Sequence, residues 1–508
     1  MSHANIILDA DFIVGKPDPR FFGSFVEHLG RCVYGGIYEP GHPTADENGY
    51  RMDVMELVRE LGVTVIRYPG GNFVSGYKWE DGVGPAEHRP SRRDLAWFST
   101  ETNAFGTNEF LTWCQKAELE PMMAVNLGTR GPDEARELLE YCNVESGTYL
   151  SDLRRSHGFE KPYDVKLWCL GNEMDAPWQI GAKTAEEYGR IAHETGKLMN
   201  WVDPQIELIA SGSSSRSMPT YAEWERIVLE ETFDTVDYIS LHVYFSKKGD
   251  DTASFMADAD ELGLYIEEII AVADGVAARR HSPKRIMLSF DEWNVWYRTR
   301  DRATRTEPGW PEAPAILEEL FTMEDTLVFA SALLNMLNHC DRVRIAFLAQ
   351  LVNVIGPIMT ETGGRAWRQP IFYPFKDAVS AIGGTVLDLR VSSSEFETEK
   401  GGRFPHLVTS AVINECGDLL TIFCVNRDLE NTLETYLDLR GFQILQDGES
   451  SVLTCADLGA TNTANEPNRV RPAEGPKPRW DDGKIVLPLP PASWCVFRFP
   501  LNIALAST

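Results

Sequence analysis

The sequence predicts a (β/α)8 barrel followed by an all-β sandwich, on three observations. Between about residues 19 and 383, short apolar runs alternate eight times with segments of helical period, the pattern of parallel strands joined by crossover helices. Two of those runs end on a glutamate in matched contexts. From about residue 384 the strands shorten and alternate, without helices between them, which is the pattern of a sandwich.

The first barrel strand is read over residues 21–28, ending at Glu27, before a Gly-, Tyr- and Pro-rich loop to about residue 48. Val54, Leu57, Val58 and Leu61 have helical spacing, with Gly62 placed as the C-cap. Residues 63–68 form the second strand, which runs into Pro69-Gly70-Gly71-Asn72. Thr107 is placed to cap a helix carrying Phe110, Trp113, Cys114 and Ala117 on one face. The third strand covers 122–127, and Pro132 opens the next helix. The fourth is Val165-Lys166-Leu167-Trp168-Cys169-Leu170, followed by Gly171-Asn172-Glu173. Thr184 and Glu187 form a capping box ahead of a helix with Tyr188, Ile191, Ala192, Leu198 and Met199 on one face. Strands five and six cover 206–210 and 237–244, the latter ending in His242-Val243-Tyr244, and a long helix covers 259–279. The seventh strand, Arg285-Ile286-Met287-Leu288-Ser289-Phe290, ends on Asp291-Glu292. A helix over 326–337, the eighth strand at 343–348 followed by Gln350, and a last helix over 375–382 complete the unit. The predicted domains are thus an N-terminal strand segment (1–18), the barrel (19–383) and the sandwich (384–508). Within the sandwich, Leu433, Thr435, Leu437 and Leu439 share one strand face, and Gly417-Asp418 marks a hairpin.

The 508 residues exceed what one small core needs. A formal net charge of −28 argues against nucleic acid and anionic membrane surfaces as partners. No segment has the ~18 or more apolar residues that span a bilayer. The start, Met1-Ser2-His3-Ala4-Asn5-Ile6-Ile7, lacks the pattern of a signal peptide, so a cytoplasmic protein is expected. The nine cysteines are scattered without CxxC spacing and read as reduced, buried thiols.

Active sites of such barrels lie at the C-terminal ends of the strands. Glu173 and Glu292 both sit there, roughly 120 residues apart, room for about three βα units. Taken singly, either would be read as a structural ion-pair residue at a barrel rim. The matched pair points to glycoside hydrolysis, in which one carboxyl protonates the leaving oxygen and the other attacks the anomeric carbon or activates water. Asn172 is read either as a bond to the sugar 2-hydroxyl or as a turn-forming Asn, and Tyr244 either as a donor to the nucleophile or as a buried, satisfied Tyr. Glu27, Arg67, Asn72 and Gln350 end other strands and are candidates to grip sugar hydroxyls; Trp97 and Trp296 are candidate aromatic walls. Other chemistries lack their signatures. The Gly-rich stretch at 69–76 has no Gly-Lys-Ser/Thr, the ten His show no metal-ligand spacing, and Gly212-Ser213-Ser214-Ser215-Arg216 lacks the final Gly of a nucleophile elbow. No cofactor or metal is expected.

The chain resembles the α-L-arabinofuranosidases of glycoside hydrolase family 51. The resemblance is carried by Phe25-Val26-Glu27-His28, Arg67-Tyr68-Pro69-Gly70-Gly71-Asn72-Phe73, Tyr77-Lys78-Trp79-Glu80-Asp81-Gly82-Val83-Gly84-Pro85, Leu170-Gly171-Asn172-Glu173-Met174-Asp175 and Asp291-Glu292-Trp293-Asn294-Val295-Trp296-Tyr297. It implies a retaining double displacement with Glu173 as general acid/base and Glu292 as nucleophile, carboxyls ~5 to 5.5 Å apart. Ionised Glu292 would then keep Glu173 protonated for the first step. The resemblance also implies sugar contacts from Glu27, Asn72, Asn172, Tyr244 and Gln350, walls from Trp97 and Trp296, and a homo-oligomer, commonly a hexamer. It further implies an N-terminal strand packed on the sandwich. Arabinan or arabinoxylan fragments are the expected substrates. The alternatives are a related β-glycanase and a catalytically silent carbohydrate-binding protein. Residues 245–255 and 298–314 match nothing assignable and leave linkage preference open.

Overall fold

The structure, a computed structural model, describes residues 2–297, 309–399, 401–445, 448–481 and 484–502. Eight parallel strands close into a barrel. They are β1 (Ser24–Phe25), β2 (Val65–Tyr68), β3 (Glu120–Val125), β4 (Leu167–Leu170), β5 (Glu207–Ala210), β6 (Tyr238–Phe245), β7 (Met287–Val295) and β8 (Val343–Leu348). All other strands are given by residue range. The interior is filled by Val65, Met122, Ala124, Leu167, Cys169, Ile209, Ile345 and Phe347, so the barrel is a packed core with an open upper face. Burial on both sides explains why β4 reads as an unbroken apolar run, and β2 and β8 as apolar runs broken only by Arg67 and Arg344.

Local signals account for most of the helices. Gly62 ends the helix Met52–Leu61 in the left-handed region at φ 81°, a conformation that costs glycine nothing. Pro132 opens Pro132–Asn143. Glu187 N–H donates to Thr184 Oγ1 at 3.3 Å while Thr184 N–H donates to Glu187 Oε2 at 2.9 Å, closing the capping box. Two expectations need correction. Thr107 is the first residue of its helix, not the cap; Gly106 caps it, and its N–H donates to Glu109 Oε2 at 2.9 Å. The first barrel strand is only Ser24–Phe25 rather than 21–28, because Phe21 belongs to a 3-10 turn, Pro19–Phe21. Gly23 lies so close to the barrel core that a Cβ there would stand 2.1 Å from the Phe347 ring.

Beyond the barrel, a seven-stranded and a five-stranded sheet face each other. Strand Leu419–Asn426 buries both faces: Leu420, Ile422 and Cys424 point between the sheets, while Phe423 and Val425 join the core shared with the barrel. The helix Met323–Leu337 packs on that second face. Trp494 Nε1 donates to Asp377 Oδ2 at 2.9 Å, and Arg427 Nη1 to the Met256 carbonyl at 2.9 Å, across the junction. The chain's first strand, Ser2–Asp9, lies inside the five-stranded sheet, antiparallel to Arg390–Ser393 and parallel to Leu433–Arg440. Among the described residues, no helix is long and apolar enough to cross a membrane.

Ile6 is fully buried between the sheets, opposite Val391 and Leu437. Ile6→Ala removes three buried carbons and should cost about 2–4 kcal/mol. Urea denaturation followed by tryptophan fluorescence should show a lower midpoint; an unchanged midpoint would show that the first strand adds nothing to the sandwich core.

Candidate active site

A cavity of about 360 Å³ opens at the C-terminal ends of the strands. Its wall includes Glu27, Asn72, Trp97, Glu173, Tyr244, Glu292, Trp296 and Gln350, and beside them Trp178, Leu317 and Ile355. The volume is within the range of ordinary small-ligand pockets. Glu173 and Glu292 meet here, with a carboxylate oxygen from each within 4.8 Å of the other.

Backbone geometry makes that meeting possible. β4 ends on Gly171 at φ 87°, and Glu173 itself adopts φ 44°, a strained conformation for a side chain with a Cβ. In β7 the register shifts between Phe290 and Trp293 against β8, and between Ser289 and Glu292 against β6. This bulge opposes Asp291 and Glu292 to Phe347 alone on β8, and Phe290 and Asp291 to Leu241 alone on β6, which re-aims both carboxylates at the top of the barrel. Gly71 supplies clearance: a Cβ there would lie 3.0 Å from Glu292 Oε1 and 3.1 Å from Glu27 Oε2.

Arg67 is buried beneath the pocket and does not line it. Its Nη1 donates to Glu292 Oε1 at 2.8 Å, its Nη2 to Asn172 Oδ1 at 2.6 Å, and its Nε lies 3.3 Å from Asp291 Oδ2. Arg67 therefore holds the carboxylates and Asn172, where the sequence had suggested a grip on sugar hydroxyls. The bond from Arg67 also fixes which way the Asn172 amide faces. Asn172 Nδ2, buried, is left without a protein partner. Tyr244 donates to Glu292 Oε2 at 2.8 Å, and its ring meets Trp296 edge-on at 5.0 Å.

Glu27, just past the end of β1, approaches Glu292 across Gly71. Its Oε1 accepts from Phe73 N–H and Trp97 Nε1, both at 2.9 Å, and its Oε2 from Gln350 Nε2 at 3.0 Å. Burial, and then the like charge of Glu292, push the Glu27 carboxyl up to about 8 against those hydrogen bonds.

Three residues at the centre are given no role by the sequence reading. His242 Nδ1 lies 2.9 Å from Glu173 Oε1 and 3.6 Å from Glu292 Oε2, and its Nε2 lies 3.3 Å from Asp291 Oδ1. Burial opposes its charge, but Glu292, Asp291 and Glu173 outweigh burial and hold the ring well above the usual imidazole range. Asp291 shows the converse: burial favours its neutral form, yet Arg67 and His242 hold it below the usual carboxylate range. Trp178, in the loop after β4, donates from Nε1 to Glu173 Oε2 at 2.6 Å. His242 could have been found, since it lies two residues before Tyr244 and so shares its strand face. Trp178 could not, because loop position follows no period. Among the described residues, Glu173, His242 and Glu292 are the one set of side chains with the spacing of a shared cation site. Their chain separation hides that set from any sequence motif. The Arg67 guanidinium pairs with Glu292, and the His242 ring lies between Glu173, Glu292 and Asp291, so the set is arranged for hydrogen bonding and proton transfer.

Comparison with known proteins identifies the family. Family models described as "Alpha-L-arabinofuranosidase 1 domain" and "Alpha-L-arabinofuranosidase C-terminal domain" match residues 57–261 and 291–493. The chain is 54% identical over 502 residues to the intracellular exo-α-(1→5)-L-arabinofuranosidase of Streptomyces lividans, covering 98% of this chain and 75% of that one. It is 52% identical over 498 residues to intracellular exo-α-(1→5)-L-arabinofuranosidase 1 of Bacillus subtilis (strain 168), covering 98% and 99%. A solved family 51 α-L-arabinofuranosidase from Bifidobacterium longum superposes with a TM-score of 0.94 at 44% identity, over 98% of this chain and all of that one. With its barrel, its paired glutamates and these relatives taken together, the chain belongs to the α-L-arabinofuranosidases of glycoside hydrolase family 51.

Proposed function

We propose that this glycoside hydrolase acts by a retaining double displacement, with Glu292 as nucleophile and Glu173 as general acid/base. We further propose that it removes terminal non-reducing arabinofuranosyl residues from arabino-oligosaccharides and from arabinan or arabinoxylan fragments. The observation that carries the mechanism is the separation of at most 4.8 Å between carboxylate oxygens of Glu173 and Glu292. A retaining pair stands ~5–5.5 Å apart, whereas an inverting pair needs ~6.5–9.5 Å to admit water.

In the first step Glu292 attacks the anomeric carbon while Glu173 passes its proton to the leaving oxygen. Arg67 and Tyr244, each bonded to one oxygen of Glu292, fix the angle of attack. The ionised Glu173 that results is met by two donors, Trp178 Nε1 on one oxygen and His242 on the other. In the second step Glu173 takes a proton from water, which breaks the ester to Glu292. The unpaired Asn172 Nδ2 is the group we assign to the sugar 2-hydroxyl, a contact that strengthens in the transition state. Glu27, Asn72 and Gln350 are assigned to the remaining hydroxyls, with Trp97 and Trp296 as walls.

Two relatives are intracellular exo-α-(1→5)-L-arabinofuranosidases, and we infer α-(1→5) linkages and a place inside the cell for this enzyme too. From the family resemblance we also infer a homo-oligomer.

Release of 4-nitrophenol from its α-L-arabinofuranoside tests the roles. Glu292→Ala should lose at least about 10⁴-fold in kcat. Glu173→Ala should be partly restored by azide, which attacks the glycosyl-enzyme without needing a base. Faster turnover of the β-D-glucoside or β-D-xyloside would favour a β-glycanase instead, and binding without turnover a silent sugar-binding protein.

Gly71→Ala should fold normally but lose on the order of 10-fold or more in kcat/KM, because its methyl crowds both Glu292 and Glu27. Wild-type kinetics in that variant would remove the close approach from the argument.

Glu27 also predicts a pH dependence. Its folded carboxyl titrates near 8, above its ordinary value of 4.5. The stability this group contributes is therefore complete below about 4.5 and is lost as pH rises to about 8. Glu27→Gln, which never ionises, should gain thermal stability over wild type progressively across that window, followed as Tm against pH; a constant difference in Tm would show that Glu27 ionises normally.

A further inference from the structure

The hairpin formed by Arg92–Asp94 and Ser99–Glu101 leans over the pocket and carries Trp97 at its tip. Its outer strand is fastened to the segment beyond β7. Thr100 N–H donates to the Pro311 carbonyl at 3.1 Å, Thr100 Oγ1 donates to the Trp310 carbonyl at 2.7 Å, and the Arg93 guanidinium lies 4.8 Å from the Trp310 ring. At the tip, the Phe98 ring also meets the Trp310 ring, at 5.9 Å. Leu95 and Phe98, the residues that flank the inward-facing pair Ala96 and Trp97, are 60% and 43% exposed. Phe98 adopts φ 57°, a left-handed conformation unfavourable for a bulky residue. A turn that exposes two apolar side chains and strains the backbone at one of them needs a strong internal anchor to stay in one shape.

Asp94 is that anchor. It is buried, and it closes the hairpin opposite Ser99. Its Oδ1 accepts from Ala96 N–H at 2.9 Å; its Oδ2 accepts from Trp97 N–H at 3.1 Å and from Ser99 Oγ at 3.4 Å. Three donors of one turn thus converge on one carboxylate, and charge-assisted bonds of this kind are the strong ones. The held residue, Trp97, donates through its indole to Glu27 Oε1. A continuous chain of hydrogen bonds therefore runs from Asp94, which lines no part of the cavity, through Trp97 to the Glu27 carboxyl inside it.

We propose that Asp94 is a positioning residue for this enzyme: by fixing the turn it sets Trp97 as the wall of the sugar pocket and, through the indole, orients Glu27. This rests on the reading of Trp97 and Glu27 as sugar contacts. The proposal predicts an effect on sugar affinity and little on the chemical step, since Asp94 has no contact with Glu173 or Glu292. It also predicts that Asp94 matters only while Trp97 is present.

The test combines a double-mutant cycle with amide hydrogen exchange of the full-length free enzyme. Asp94→Ala should raise KM for 4-nitrophenyl α-L-arabinofuranoside about 10-fold with kcat within about threefold of wild type. Asp94→Asn, which keeps one acceptor, should fall between. In a Trp97→Ala background, Asp94→Ala should add no more than about twofold. Independently of turnover, the amides of residues 96 and 97 should exchange at least about tenfold faster in Asp94→Ala. A wild-type KM in Asp94→Ala, an effect that multiplies with that of Trp97→Ala, or unchanged exchange would each overturn the proposal. Should Asp94→Ala fail to fold, Asp94→Asn carries the same comparisons. If the wild type does not hydrolyse the arabinofuranoside at all, the substrate assignment fails, and the exchange measurement alone decides whether Asp94 holds the turn.

Discussion

The buried guanidinium of Arg67 is the interaction on which the site depends. It rises from β2 and reaches side chains that end β4 and β7, so one planar cation ties three strands of the barrel together at their upper ends. A buried charge is costly unless it is paired and fully bonded. Here the cost is met by Asp291, Glu292 and Asn172, groups that need a cation or a donor for their own burial. The arrangement is reciprocal. Without Arg67, Asp291 and Glu292 would be left to His242 and Tyr244 beside a third and a fourth carboxylate; without them, the guanidinium would be stranded. Such mutual dependence fixes geometry more firmly than a single strong contact does, and a double displacement requires carboxylates that do not drift.

The architecture was largely legible in the chain because each strand buried on both faces reads as an apolar run and each helix carries its own start and stop signals. Thr184 with Glu187, Pro132 and Gly62 act through local chemistry, and local chemistry is what a sequence displays. The paired glutamates were legible for a similar reason: both follow apolar strands into a break, at Gly171-Asn172-Glu173 and at Asp291-Glu292. What stayed hidden depends on three-dimensional detail. The bulge in β7 that lets Asp291 and Glu292 share the rim is a matter of register. Arg67 looked like any polar strand end, because nothing in its neighbours says that its charge is consumed below the cavity. Trp178 sits in a loop without periodicity, and only the fold brings its indole to Glu173.

Backbone strain follows the same map. Several non-glycine residues in the left-handed region cluster around the cavity: Phe98, Glu173, Leu317 and Ile355. Leu317 and Ile355 both line it and are joined by a bond from Ile355 N–H to the Leu317 carbonyl at 2.8 Å. Strained conformations persist only where surrounding contacts over-determine them. Their gathering here shows that the walls of the pocket are imposed by the packed barrel beneath and are not the relaxed shapes of the loops.

The first strand of the chain, held between Arg390–Ser393 and Leu433–Arg440, has a consequence for synthesis. Its parallel partner is made some 430 residues later, and a ribosome adding about 5–20 residues each second needs on the order of 20–90 s to cover that distance. For that interval an apolar strand with open hydrogen-bonding edges waits outside the exit tunnel while the whole barrel forms beside it. The segment most exposed to mispairing between neighbouring nascent chains is thus one whose sheet partners, Arg390–Ser393 and Leu433–Arg440, are made only after the barrel.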